Sequence, residues 1–210
     1  MTILYIDTSS SYLYTGIVQE NILINSRKEC LSNNLSTFAI DEIRKMFEEV
    51  NLKPNDVDKI IVVNGPGSFT GIRIGITISK IFAWSLNKKI TMISSLEAMV
   101  KSVQSNKLIV PIINARRGYV YGAIYQNNEI VLEGEYISLE KLNLFLKGLN
   151  KEYSFISNDK FDFECLKYDP DILNIVLSYK DREDVNPHMV NPCYLKLTEA
   201  EENRLKENDN

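Results

Sequence analysis

The chain has 210 residues, 44% apolar and 25% charged, and a formal net charge of −4; that length holds one large domain or two smaller ones with a sizeable core, and the acidic balance disfavours a broad basic face for nucleic acid. Cys30, Cys165 and Cys193 are odd in number and far apart, which argues against a disulfide framework or a zinc site and for reduced thiols in the cytosol. No run reaches the ~18 apolar residues of a membrane span, and Thr2-Ile3-Leu4-Tyr5-Ile6 has no basic leader before Asp7, so neither a membrane anchor nor a signal peptide is expected.

The first predicted elements are strands near 2–7, 12–18 and 22–29. Leu13, Thr15 and Ile17 alternate with Tyr14, Gly16 and Val18, the period of a pleated strand, and Gln19-Glu20-Asn21 supplies a polar turn. A helix follows from a cap at Asn33 or Asn34 to about Val50, with Leu35, Ala39, Ile43, Met46 and Phe47 at helical spacing; Pro54 stands in the connector after it. Ile60-Ile61-Val62-Val63 reads as a buried strand, a glycine-rich turn succeeds it, and an apolar helix runs over about 70–86. After another strand, Ser94 and Glu97 form a capping-box pair at the start of a helix expected to end near Ser105-Asn106, the predicted domain boundary. A second series opens with Leu108-Ile109-Val110-Pro111-Ile112-Ile113-Asn114. Strands at 119–126 and 129–137 are joined by the hairpin pair Asn127-Asn128, and a helix over about 139–147 is expected to stop at Gly148. The pattern becomes less regular beyond residue 150. The predicted organisation is therefore a half-domain over 1–105, a smaller one over 106–198 and a charged tail over 199–210, expected to fray.

Several stretches invite a chemical reading. Asn64-Gly65-Pro66-Gly67-Ser68-Phe69-Thr70-Gly71-Ile72-Arg73-Ile74-Gly75 offers amides at a helix N-terminus, an anion-holding device. Yet Ile72 follows Gly71 where a P-loop needs Lys, and Thr70 stands where a dinucleotide fingerprint needs Gly. The glycines are therefore not a standard nucleotide loop, and close packing is the expected purpose. Asp7, Thr8 and Ser9 occupy a strand-to-strand turn; Asp7 either caps that turn or, if the turn is similar to that of actin-like ATPases, approaches phosphate through metal-bound water. Gly71, Gly75 and Ser79 form a stripe of small residues on a helix apolar nearly all round, suited to internal packing or to a partner chain. His188 is the single histidine, so no histidine pair can hold a metal, and no Gly-x-Ser-x-Gly elbow is present. Arg116-Arg117-Gly118 is either a solvated loop or a contact to a partner, nucleotide or tRNA.

The run from Gly65 to Gly75 closely resembles the signature of the TsaB (YeaZ) family, subunits of the bacterial machinery that makes threonylcarbamoyladenosine in tRNA. Ile6-Asp7-Thr8-Ser9, Ser94-Ser95-Leu96-Glu97-Ala98, Ala115-Arg116-Arg117-Gly118-Tyr119-Val120-Tyr121 and Pro192-Cys193-Tyr194-Leu195-Lys196 agree in order, so the likeness spans residues 3 to about 197. It implies an α/β, two-domain actin-like fold of the sugar-kinase and chaperone-ATPase type, each half a mixed sheet with helices. It also implies a non-catalytic, cytoplasmic subunit that binds and activates the transferase TsaD, which acts on the adenosine beside the anticodon. TsaE is the implied ATPase partner, a homodimer forms when the chain is alone, and tRNA is met mainly through the complex. No intrinsic cofactor is implied, although a nucleotide at the interface with TsaD is; Asp7, Thr8 and Ser9 are the candidate residues for it. Leu35, Phe38, Met46, Gly71, Gly75, Ser79 and Phe82 are the candidate partner interface. The alternative is a glycoprotease-like hydrolase or an ATP-dependent enzyme of the same fold. The sequence departs from the family at Asn114, where Asp is usual, at Tyr119, where an acidic residue is usual, and at Asn33-Asn34, where His-Ser is common.

Overall fold

The structure, a computed structural model, describes residues 1–196, so the segment over 199–210 that is expected to fray lies outside the described residues. The alternation read from the sequence becomes a meander of β1 (Thr2–Asp7), β2 (Tyr12–Gln19) and β3 (Ile22–Cys30), antiparallel neighbours in turn. Glu20 and Asn21 take left-handed φ values of 52° and 66°, the geometry a two-residue hairpin turn requires. Helix α1 (Leu35–Glu49) then crosses the sheet, and β4 (Lys59–Val63) returns parallel to β1. Helix α2 (Phe69–Ser85) leads to β5 (Lys89–Ile93), parallel to β4, which completes the order β3-β2-β1-β4-β5.

Every residue of β1 and β4 is buried, so both faces of this sheet must be covered. Leu4, Ile6, Ile60 and Val62 point to one face and pack with Met46 and Phe47 of α1 and Ile72 and Ile76 of α2. Ile3, Tyr5, Ile61 and Val63 point to the other, which is covered by Ile172, Ile175 and Val176 of α5 (Ile172–Tyr179).

Helix α3 (Ser95–Lys101) begins with the expected capping box: Ser94 N donates to Glu97 at 2.7 Å, and Ser94 Oγ accepts from Leu96 N at 3.1 Å. It stops short of the expected 105–106. The Ser102 hydroxyl donates to Ala98 O at 2.9 Å and accepts from Asp171 N at 3.1 Å, holding the chain as it leaves the helix. The second sheet has the order β8-β7-β6-β9, from β6 (Leu108–Asn114), β7 (Tyr119–Gln126), β8 (Glu129–Ser138) and β9 (Tyr153–Ile156). Asn127 and Asn128, with φ of 50° and 68°, make the predicted hairpin turn. Helix α4 (Leu139–Leu149) runs through Gly148 rather than ending there. The left-handed cap is Asn150 at φ 48°, the other residue that tolerates this geometry at low cost.

A division at residue 105 assigns everything downstream to the second sheet, but residues 172–190 return to the first. Helix α5 covers its open face, Val185 N bonds Ile90 O at 2.8 Å, and Val190 enters the core beneath α2. Lys59, 4% exposed, fastens this return: its ammonium donates to the carbonyls of Lys180 at 2.9 Å and Arg182 at 2.7 Å, and it pairs with Asp184 at 2.8 Å. The driving force is the apolar surface of β1, β2 and β4 on that side, where α5 supplies Ile172, Ile175, Val176 and Tyr179 beside Ala98 of α3. Among the described residues, no helix is long and apolar enough to cross a membrane.

Candidate functional site

The C-terminal end of β1 faces the inner edge of the second sheet across a cleft of about 960 Å³. One wall comes from the turn Ser9-Ser10-Ser11 and the start of α2 (Ser68, Phe69, Thr70); the other comes from Ile112, Asn114, Arg116 and Tyr121. Hydroxyl-bearing side chains and apolar ones such as Leu35, Ile74 and Met99 share this lining.

Of the three candidate cofactor residues, only Ser9 reaches the cleft. Asp7 is 1% exposed, and its carboxylate caps its own turn by accepting from Ser9 N at 2.8 Å, with the Tyr5 hydroxyl at 3.5 Å. Thr8 faces α2 and donates its hydroxyl to Gly71 O at 2.7 Å. Burial pushes the Asp7 carboxyl above its ordinary pKa, outweighing the hydrogen bonds from Ser9 that pull it down. A folded carboxyl that holds its proton more tightly than the unfolded one contributes fully below about pH 3.9 and loses that contribution as pH rises through the folded value. Asp7→Asn keeps an acceptor for Ser9 and carries no charge. It is therefore expected to raise the melting temperature at neutral pH, by an amount that shrinks toward about pH 4. A variant that melts below the parent at neutral pH would show that the carboxylate itself stabilises the turn.

The glycine-rich segment resolves in favour of packing. A Cβ at Gly67 would collide with the Ser9 carbonyl, one at Gly71 with the Thr8 carbonyl, and one at Gly75 with the Thr8 hydroxyl. Three amides at this turn are engaged within the protein. Ser68 N donates to Ser9 O at 2.7 Å, Gly71 N to Ser68 Oγ at 3.2 Å, and Ile72 N to Ser68 O at 2.9 Å. Glycine is required here so that the β1–β2 turn can lie directly on the first two turns of α2.

Most residues of the expected partner interface are buried within the chain. Gly71 and Gly75 are buried against the protein's own turn, Ser79 is buried on α2, and Leu35 and Met46 are buried on the inner side of α1. Phe82 is half-buried and stacks on Phe47 at 6.2 Å between centroids. Phe38 alone of that set is an exposed large side chain, at 44%. The apolar surface that remains open lies one stripe away. Ile40 shares the α1 edge of Phe47 at i,i+7, and Ile74, Ile78 and Ile81 run along the seam side of α2. Ile81 is 60% exposed, and Trp84 beyond it is 66% exposed.

Two separated sequence segments meet beside this surface. Arg73 donates Nε to the Tyr194 hydroxyl at 2.8 Å and lies 3.8 Å from the Phe69 ring centre, and Phe69 stacks on Tyr194 at 5.4 Å. The stack ties the segment around Cys193 across the glycine-rich turn, where Cys193 N also bonds Asn64 O at 2.8 Å. The only sequence signal for this contact was that both segments carry family signature residues.

Arg116 and Arg117 both adopt left-handed φ, 68° and 53°, in a turn closed by Ala115 N to Tyr119 O at 2.9 Å. The Asn114 side chain steadies it by accepting from Arg116 N at 2.8 Å. His188 lies outside the cleft, its ring edge-on to Trp84 at 6.3 Å. Among the described residues, no three His, Cys, Asp or Glu side chains gather as a metal site.

A family model described as TsaD: tRNA N6-adenosine threonylcarbamoyltransferase matches residues 23–175. The chain is 32% identical to the tRNA threonylcarbamoyladenosine biosynthesis protein TsaB of Bacillus subtilis (strain 168), over 96% of each chain. It is 29% identical to the TsaB protein of Buchnera aphidicola subsp. Baizongia pistaciae, over 79% of this chain and 80% of that one. The structure of YeaZ from Pseudomonas aeruginosa superposes with a TM-score of 0.74, covering 92% of this chain and 99% of that one at 21% identity, which shows a shared fold. The chain belongs to the TsaB (YeaZ) family.

Proposed function

We propose that this member of the TsaB (YeaZ) family is a non-catalytic subunit that binds and activates a TsaD-type transferase forming threonylcarbamoyladenosine beside the anticodon of tRNA. The observation that carries the reading is the open apolar seam of α1 and α2, with Ile40, Ile81 and Trp84 exposed beside the half-buried Ile74 and Ile78. Large exposed apolar patches on a folded chain mark association surfaces. The placement of Asp7 and Thr8 supports the non-catalytic assignment, since both are committed to holding the β1–β2 turn on α2. The chain works in the cytoplasm, pairs with itself through the same seam when alone, and meets tRNA and a TsaE-type ATPase within the assembly. Any nucleotide sits where the chain meets TsaD.

Mixing the purified chain with its cognate TsaD-type subunit is expected to give a stable heterodimer by light scattering. With the remaining pathway proteins and tRNA, the mixture is expected to form the modified nucleoside at a rate the TsaD-type chain alone does not reach. Modification at the full rate without this chain would refute the reading, as would turnover of ATP by this chain alone.

A further inference from the structure

On the cleft-facing side of the second sheet, beyond the cover of α3, three tyrosines form a ladder outside every core cluster. Tyr119 and Tyr121 project from the same face of β7, and Tyr136 comes from the paired strand β8. Tyr136 stacks on Tyr119 at 4.7 Å and 10° between planes, and meets Tyr121 at 5.7 Å and 50°. Tyr119 remains 40% exposed, so the stack ends in an accessible ring. Lys196 stands over Tyr136 at 5.3 Å, and Arg116 and Arg117 occupy the adjoining turn, which holds two bulky residues in left-handed conformations. No ion pair or side-chain hydrogen bond occupies either guanidinium among the described residues.

We infer that this ladder is a docking platform for single-stranded RNA, with an unpaired base stacking on the open end at Tyr119 and the flanking phosphates met by Arg117 and Lys196. An aromatic platform edged by cations is the arrangement by which proteins hold unstacked bases, and it tolerates any base because every base has a π-face. Duplex RNA keeps its bases stacked inside and presents no ring to Tyr119. Glu135 and Glu140 lie near the same corner in the chain, so charge alone contributes little and stacking carries the binding. The choice of RNA rests on the tRNA pathway proposed above, but the platform's chemistry does not depend on pairing with TsaD.

The test uses the full chain and a fluorescent unstructured RNA of about 12 nucleotides, a length within the range that single-stranded sites cover. Fluorescence anisotropy at about 50 mM salt is expected to show saturable binding, with a same-length duplex much weaker. Tyr119→Ala should weaken the single strand by about 5- to 150-fold, the effect of losing one stacked base, whereas Tyr119→Phe, which keeps the ring, should retain it. Arg117→Ala and Lys196→Ala should each flatten the salt dependence by about one unit. No binding by the parent chain overturns the inference, as does duplex binding of equal strength or indifference to Tyr119→Ala. Thermal melting of each variant separates misfolding from lost contact. Light scattering with the TsaD-type subunit reports the pairing reading separately, and Tyr119→Ala should leave that pairing intact.

Discussion

Gly71→Ala is expected to lower the melting temperature by roughly 6–12 °C, because the added methyl is driven into the Thr8 carbonyl at the point where the β1–β2 turn lies on α2. Overpacking of a filled core costs typically ~1–3 kcal/mol, and the upper end applies because the obstacle is backbone. A chain of this size loses about 2–4 °C per kcal/mol. The neighbouring position makes the explanation separable. At Gly75 the obstacle is the Thr8 hydroxyl, a side-chain atom, so Thr8→Ala should recover much of the loss in Gly75→Ala and none of that in Gly71→Ala. Equal rescue of both, or melting of Gly71→Ala within about 0.5 kcal/mol of the parent, the range of ordinary surface changes, would show that the turn is not pinned as described.

Trp84→Ala is expected to do the reverse, sparing the fold and breaking the assembly. Its ring is 66% exposed, and its described aromatic neighbour is the edge of His188. Truncating a tryptophan at the centre of an interface costs at least about 2 kcal/mol, a loss of roughly 30-fold in affinity. That loss should appear in the pairing with the TsaD-type chain and in self-association alike, with melting unchanged. Gly75→Leu offers the contrast: it should damage the fold first, since that glycine faces Thr8 and not solvent. Full-strength pairing by Trp84→Ala would remove the α2 seam from consideration as the interface.

The local grammar of the fold was legible in the sequence. Alternation marked β2, the Asn127-Asn128 pair marked the β7–β8 hairpin, and Ser94 with Glu97 marked the start of α3, because each signal depends on residues within a few positions of one another. Helix ends were harder: Gly148 is the better cap by composition, yet the helix has one more residue to bury at Leu149 and uses Asn150 instead. The site was legible as a set of segments but not as an arrangement. Small residues at four-residue spacing announce that something approaches α2 closely, and only the tertiary structure shows that Thr8, sixty-three residues from Gly71, is what approaches. The meeting of Arg73 with Tyr194 and the return of α5 to β1 have the same character. No local pattern encodes contacts across that much chain.

The return of residues 172–190 to the first sheet also fixes an order of events during synthesis. As the chain emerges, β1 to β5 can pair and α1 and α2 can cover one face, but the other face waits for α5, and the cavity beneath α2 waits for Val190. Lys59, buried in the finished protein, has no carbonyls from residues 180 and 182 to receive its ammonium until almost the whole chain has been made. The N-terminal half therefore spends most of translation with an open apolar sheet face and a charged side chain at its border, the kind of surface that chaperones hold and that long-range closure is slow to cover. A ribosome that stalls or a message that ends before residue 172 releases that sheet without α5 over this face.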